Sequence, residues 1–236
     1  MGLSFNIFFV IFNIRKSRIL NMQLKPQDFL VALKLVALSG QRWTYAALAH
    51  ALGLSTSEAH ACVKRGLQAG LLAVNALEAA VHGAVAAHEP GAIYRLARRT
   101  RLSASELTQV AGTDNPARAN PRNLAEFAVH GAKYAFPAEK LGLTLGVPTS
   151  HSAPAFDGVF APGSDAMVWP HAEGAVRGIG LRPLHPSVPY AAMQDAQLYE
   201  MLALFDALRA GRARERGMAA QRLSALIHPT QEATHG

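Results

Sequence analysis

From Pro26 the apolar residues Phe29, Leu30, Leu33, Val36 and Ala37 recur at three- and four-residue spacings as far as Ser39 and Gly40. That spacing gathers them on one face of an α-helix, and Pro26 suits a first turn, so the pattern predicts one amphipathic helix here. Gln41-Arg42-Trp43 reads as a short extended link. Thr44 then supplies a side-chain acceptor ahead of a second helix, Tyr45 to Leu52, which Gly53 ends. Ser55-Thr56-Ser57-Glu58 has the form of a reciprocal cap, in which the Ser55 hydroxyl accepts from the amide of Glu58 and the Glu58 carboxylate reaches back. It opens a third helix, from about Thr56 to Ala69, that stops at Gly70. Leu71 to Val74 follows as a short strand.

Beyond Val74 the pattern loosens. Asn75 to His88 is Ala-rich and reads as helical, and Gly91 to Arg101 as a basic helix carrying Arg95, Arg98, Arg99 and Arg101, with Glu89-Pro90-Gly91 breaking the two apart. A second cap, Ser103 to Glu106, opens a short helix ending at Gly112. Thr113 to Arg122 reads as a polar linker, and Asn123 to His130 as a further short helix. One echo occurs at an offset of 48 residues: Leu48, Ala49, Leu54, Ser55, Ser57 and Glu58 recur as Leu96, Ala97, Leu102, Ser103, Ser105 and Glu106, with Arg101 standing where Gly53 does. It fits either two coincident caps or a variant second helix-turn-helix. Residues 131–190 hold most of the 13 prolines. They are expected to be irregular, with short strands at Val159-Phe160, Met167 to Trp169 and Val176 to Ile179. Finally Asp195 caps a long helix from Ala196 to about Ile227, mildly interrupted at Gly211 and Gly217. Its Leu198, Tyr199, Met201, Leu202, Leu204, Phe205 and Leu208 cover most of the circumference, which implies burial on several sides. Two arrangements provide that: a dimer interface, or packing on the chain's own Pro-rich region. Arg209, Arg212, Arg214 and Arg216 follow, as a solvated face or as a meeting place for phosphates or a partner's acids.

With 236 residues, half of them apolar and 17% charged, the chain has enough material for a packed core. The formal charge of +7 is unevenly spread. Residues 24–105 carry nine Lys and Arg against four acids, while residues 106–236 carry eleven against twelve. The remaining excess, Arg15, Lys16 and Arg18, lies in residues 1–23. The apolar run there, Leu3 to Ile14, is shorter than a membrane helix requires and has its charges behind it rather than in front, unlike a secretory signal. Met22 is a natural start, and residues 1–23 are expected to be a leader or tail outside the fold. Cys62 is the single cysteine, which suits a reducing, cytoplasmic compartment.

The densest pattern is Tyr45 to Cys62. Two helices crossing through a tight turn need a small residue where they touch, a residue tolerant of positive φ in the turn, and apolar inward faces. Ala49, Gly53, and the set Leu48, Leu52, Leu54, Ala59 and Cys62 supply these in turn. With the helix before it and the strand after it, the segment 24–75 resembles the winged helix-turn-helix of bacterial transcription regulators of the MarR type. The resemblance implies an α+β, mainly α, fold whose third helix enters the major groove of double-stranded DNA, and a homodimeric repressor that reads a two-fold site. A winged helix used for protein interaction is the alternative. The family's second wing strand has no clear counterpart in the Ala-rich stretch after Val74, so the wing is expected to be either minimal or displaced by an insertion.

On that third helix, the residues pointing away from Ala59, Cys62 and Leu67 are Thr56, Ser57, His60, Ala61 and Lys64. Ser57 and His60 can hydrogen-bond base edges, and Lys64 and Arg65 suit guanine or phosphate. Arg42 suits the DNA backbone, while Trp43 and Cys62 read as core. The rear half offers His130, His151, His171 and His185 near Asp157, Asp165 and Glu173, without a strong ligand spacing. No nucleotide loop, nucleophile elbow or zincin motif occurs. No cofactor, metal, catalytic residue or membrane segment is therefore expected. The organisation read from the sequence is a leader at 1–23, the winged helix at 24–75, a connecting helical region at 76–130, a Pro/Gly-rich region at 131–190 and an assembly helix at 191–228. Two other functions fit less of the pattern: an antitoxin-like protein that binds a partner protein and regulates its own operon, and a metal-dependent enzyme fused to a winged helix.

Overall fold

The computed structural model describes residues 24–39, 41–74, 91–100, 103, 117–159 and 166–228. The leader, the Ala-rich stretch 75–90 and most of 101–116, including Arg101 and residues 104–106 of the second cap, lie outside the described residues. The fold is α+β and mainly helical, and among the described residues no helix is long and apolar enough to cross a membrane.

The first three helices form where the spacing puts them: α1 (Pro26–Ala37), α2 (Tyr45–Leu52) and α3 (Thr56–Gln68). α1 differs from the expectation in one respect. It is not amphipathic against solvent, because every residue from Asp28 to Val36 is buried. The two polar exceptions on it are each matched. Asp28 accepts from the Lys25 amide at 2.8 Å and so caps the helix start, and Lys34 reaches Asp195 at 2.7 Å. At the centre, the Phe29 ring meets Phe127 and Phe205 edge-on and stacks on Phe136, with centroids 5.5, 5.0 and 6.4 Å away. Sealing one such ring from water contributes about 2 kcal/mol.

After α3 the chain reverses at Gly70, whose φ of 73° is left-handed and suits glycine. β1 (Leu72–Val74) thereby returns along α3, with Leu72 lying against Gly66. Its partner is not the next piece of chain. After α4 (Ala92–Thr100), β2 (Ala117–Ala119) pairs antiparallel with it, Leu72 opposite Ala119 and Val74 opposite Ala117. Part of the expected polar linker is therefore a strand, and residues 75–116 form an insertion between the two strands of one ribbon.

Asn120 caps α5 (Pro121–Glu126), which runs without a break through a π turn at Phe127–Gly131 into α6 (Ala132–Ala135). The Pro/Gly-rich region is more regular than its composition predicts. It contains β3 (Lys140–Pro148), two short 3-10 turns, β4 (Met167–Pro170) and β5 (Val176–Leu181), the three strands closing on one another. β3 runs antiparallel to both of the others, and β4 and β5 are parallel. Of the expected strands, Met167 to Trp169 and Val176 to Ile179 are present, while Val159 lies in a turn and Phe160 is outside the described residues.

The C-terminal helical stretch is three helices: α7 (Val188–Gln194), α8 (Ala196–Ala210) and α9 (Ala213–Ile227). Gly211 ends α8, and Glu215 restarts the helix by accepting from the Arg212 amide at 2.8 Å. Gly217 does not interrupt α9. The apolar circumference of α8 is satisfied inside the chain, since Leu198 and every residue from Met201 to Leu208 are buried. α8 packs on α1, α7, α9 and the 3-10 turns, so the second of the two arrangements expected for it is the one adopted. Asp206, buried in its middle, accepts from Thr149 Oγ1 at 2.8 Å, Trp169 Nε1 at 2.6 Å and Arg209 Nε at 2.7 Å, and Arg209 also donates to the Arg182 carbonyl at 2.7 Å. One buried cluster runs from Phe29 to Ile227, so the segment boundaries read from the sequence do not divide the core.

Candidate nucleic-acid interface

The local chemistry of the α2–α3 unit follows its sequence closely. Thr44 Oγ1 accepts from the Ala47 amide at 3.1 Å and starts α2. Gly53 ends it at φ 61°, a left-handed turn that lets Leu54 donate back to the Ala49 carbonyl at 2.9 Å. Ala49, only 3% exposed, sits at the crossing. Ser55 then caps α3 as expected, Oγ accepting from the Glu58 amide at 3.2 Å while the Ser55 amide donates to Glu58 Oε2 at 3.0 Å. These hydrogen bonds from the Ser55 backbone and hydroxyl hold the Glu58 carboxyl below its ordinary range.

Ala59, Cys62, Val63 and Gly66 form the buried side of α3, and Thr56, Ser57, His60 and Lys64 are exposed on the other. Ala61 is half-buried, and Arg42 is exposed just ahead of α2. Five of the six predicted contact residues thus share open surface around one two-helix unit. His60 is held there by an aromatic neighbour the sequence reading did not include. Its ring lies 5.0 Å from that of Tyr45, which is itself edge-on to buried Trp43 at 5.4 Å. The available signal was position, because Tyr45 opens α2 where that helix meets α3.

Arg65 is placed differently from the expectation. Its Nε and Nη2 bond the two carboxylate oxygens of Asp28 at 2.8 and 2.6 Å, and Asp28 is fully buried. A paired guanidinium on a buried carboxylate is fixed in place, so Arg65 ties α3 to the start of α1 rather than facing outward. Arg65 also contacts Cys62 Sγ at 3.4 Å. Burial, and then the neighbouring Asp28, push the Cys62 thiol up to about 12, so it is a packed and unreactive side chain.

The rear of the molecule backs the turn. α7 packs on α2, and a side chain added at Gly53 would meet Ser187 Cβ at 3.2 Å and the Tyr190 ring at 3.3 Å. Ser187 is in turn set by His185, whose Nδ1 lies 2.9 Å from its hydroxyl and takes the Ser187 amide at 3.3 Å. Burial lowers the His185 pKa, which favours the neutral ring these contacts use.

Among the insertion residues, Arg98, Arg99 and Tyr94 on α4 are exposed. The histidines of the rear half do not converge: His130 is exposed, His151 lies 4.0 Å from Glu215, and His171 Nδ1 accepts from the Glu173 amide. Among the described residues no group of three His, Cys, Asp or Glu side chains is placed to hold a metal. Compared with protein-family models, with curated proteins and with solved structures, the chain matches none.

Proposed function

We propose that the protein is a sequence-specific, double-stranded-DNA-binding transcription regulator, acting as a dimeric repressor in the cytoplasm. The observation that carries the reading is the exposed row Thr56, Ser57, His60 and Lys64 on a helix whose other side is core and whose entry is a left-handed glycine turn. Three helices followed by a two-stranded ribbon is the order of a winged helix, with the ribbon standing where a wing would and residues 75–116 inserted at its tip. In this reading the N-terminal half of α3 enters the major groove. Ser57 and His60 read base edges, Lys64 takes guanine or phosphate, and Arg42 takes the backbone beside α2. Arg65 acts on its own chain, keeping α3 at a fixed angle to α1. The partner-binding and metal-enzyme alternatives have no comparable described feature in their favour.

Selection of bound duplexes from a random DNA pool tests the proposal. The wild type enriches one motif; His60→Ala relaxes it at one or two positions, at a cost of about 1–3 kcal/mol each, and Lys64→Ala weakens binding and flattens its salt dependence. Enrichment of no motif, or an unchanged motif and affinity in both variants, refutes it.

A further inference from the structure

α4 (Ala92–Thr100), in the insertion between β1 and β2, divides cleanly at helical spacing. Leu96, Ala97 and Thr100 fall on one side of the helix, and Tyr94, Arg95, Arg98 and Arg99 on the other. Exposure follows the same division: the tyrosine and the three arginines are exposed, while Leu96, Ala97 and Thr100 are half-buried. No carboxylate occurs in β1, α4 or β2, and Arg118 in the middle of β2, opposite Ala73, is exposed as well. Arg65, Arg182 and Arg209 are neutralised on Asp28, Glu139 and Asp206. Arg98, Arg99 and Arg118 have no such carboxylate among the described residues. The turn at Gly70 sets where this charge is tethered. β1 runs back along α3 with Leu72 against Gly66, so the ribbon leads from the C-terminal end of α3 toward its N-terminal half. Val74 and Ala117 are paired at the ribbon's tip, where the insertion that carries α4 leaves and re-enters.

Given the reading in which α3 enters the major groove, on which this inference rests, we propose that α4 is a second DNA contact: Arg98 and Arg99, with the Tyr94 hydroxyl beside them, hold phosphates outside the bases that α3 reads. Charge complementarity selects the occupant. Guanidinium groups donate in a fork that fits phosphate oxygens, a tyrosine hydroxyl donates to the same oxygens, and a face with no acid on it meets no repulsion from a continuous line of phosphates. The tether at the ribbon's tip keeps that face near the end of α3 that lies in the groove. Phosphates are alike at every base pair, so α4 adds affinity and salt dependence and leaves specificity to Ser57 and His60.

Fluorescence anisotropy of the full chain on the duplex it enriches, or on random duplex if it enriches none, tests this between about 50 and 200 mM salt. Each phosphate contact adds ~0.9 to the slope of log affinity against log salt, so the Arg98→Gln/Arg99→Gln double variant is expected to lose about 1.8 of that slope. Its deficit against wild type then narrows roughly 10-fold across the range, and its enriched motif stays that of the wild type. Arg98→Lys/Arg99→Lys keeps both charges and is expected to keep the slope, which separates a lost contact from a lost fold. An unchanged slope in the glutamine variant, a lysine variant that loses as much, or an altered motif overturns the role of α4 and leaves that of α3 standing. A wild type that enriches no motif, with the slope still falling in the glutamine variant, removes base reading by α3 and keeps the phosphate contact of α4. A wild type that binds no DNA overturns both.

Discussion

Asp28 shows how much one side chain decides in this molecule. Fully buried, it caps α1 and holds both donors of Arg65, so removing the guanidinium leaves a carboxylate without its counter-charge in the core. Breaking such a pair costs about 3 kcal/mol, and Arg65→Met is expected to lower unfolding free energy in urea by that amount. Unchanged stability with lost DNA affinity would make Arg65 a contact residue after all. Arg65 directly follows Lys64 on α3, and as adjacent cations the two are expected to share a role. The partner lies 37 residues away in the chain, and no local spacing points to it. His60, by contrast, was legible as an outward residue of α3, and only the ring that steadies it was not.

Among elements, legibility follows the strength of local signals. α2 and α3 carry apolar periodicity bounded by hydroxyl caps and glycine stops, α1 opens on Pro26 with Asp28 as its cap, and each forms within a residue or two of its predicted range. β2 is three residues of Ala-Arg-Ala, with nothing in its own pattern to mark it, and exists because β1 has an edge to fill. β3 is interleaved with glycine, and α7 begins beside Pro186 and Pro189, so composition pointed to irregular chain at both. The mild interruption expected at Gly211 is a full break before α9, whose cap has Arg212 where a hydroxyl is usual. Asp195 is a cap the sequence did announce, and it also joins α8 to α1 through Lys34. Burial raises its pKa, but Lys34 and the amides of Leu198 and Gln197 outweigh that, and the net shift is downward. Its folded pKa lies below the unfolded one, so its contribution is present at neutral pH and lost as pH falls below about 4. Asp195→Ala is expected to cost about 1 kcal/mol or more at pH 7, and chemical denaturation near pH 3 should show the gap to wild type closing.

At the scale of the whole molecule, α1 is the central beam. It is covered by α3 and the β1–β2 ribbon on one side and by α8 and α9 on the other. The chain is therefore expected to unfold in a single thermal transition, with calorimetric and van't Hoff enthalpies in agreement, and residues 24–75 expressed alone are expected to stay unfolded, lacking the cover for Phe29. Two separate transitions would restore the division into modules suggested by the sequence. The buried Asp206 gives this a convenient reporter. It bonds the Trp169 indole in the strand region, while Trp43, the other tryptophan, packs beside Tyr45 at α2. Each half of the core thus carries its own fluorophore, and Trp→Phe variants that leave one at a time would let emission from either end time the loss of the same beam.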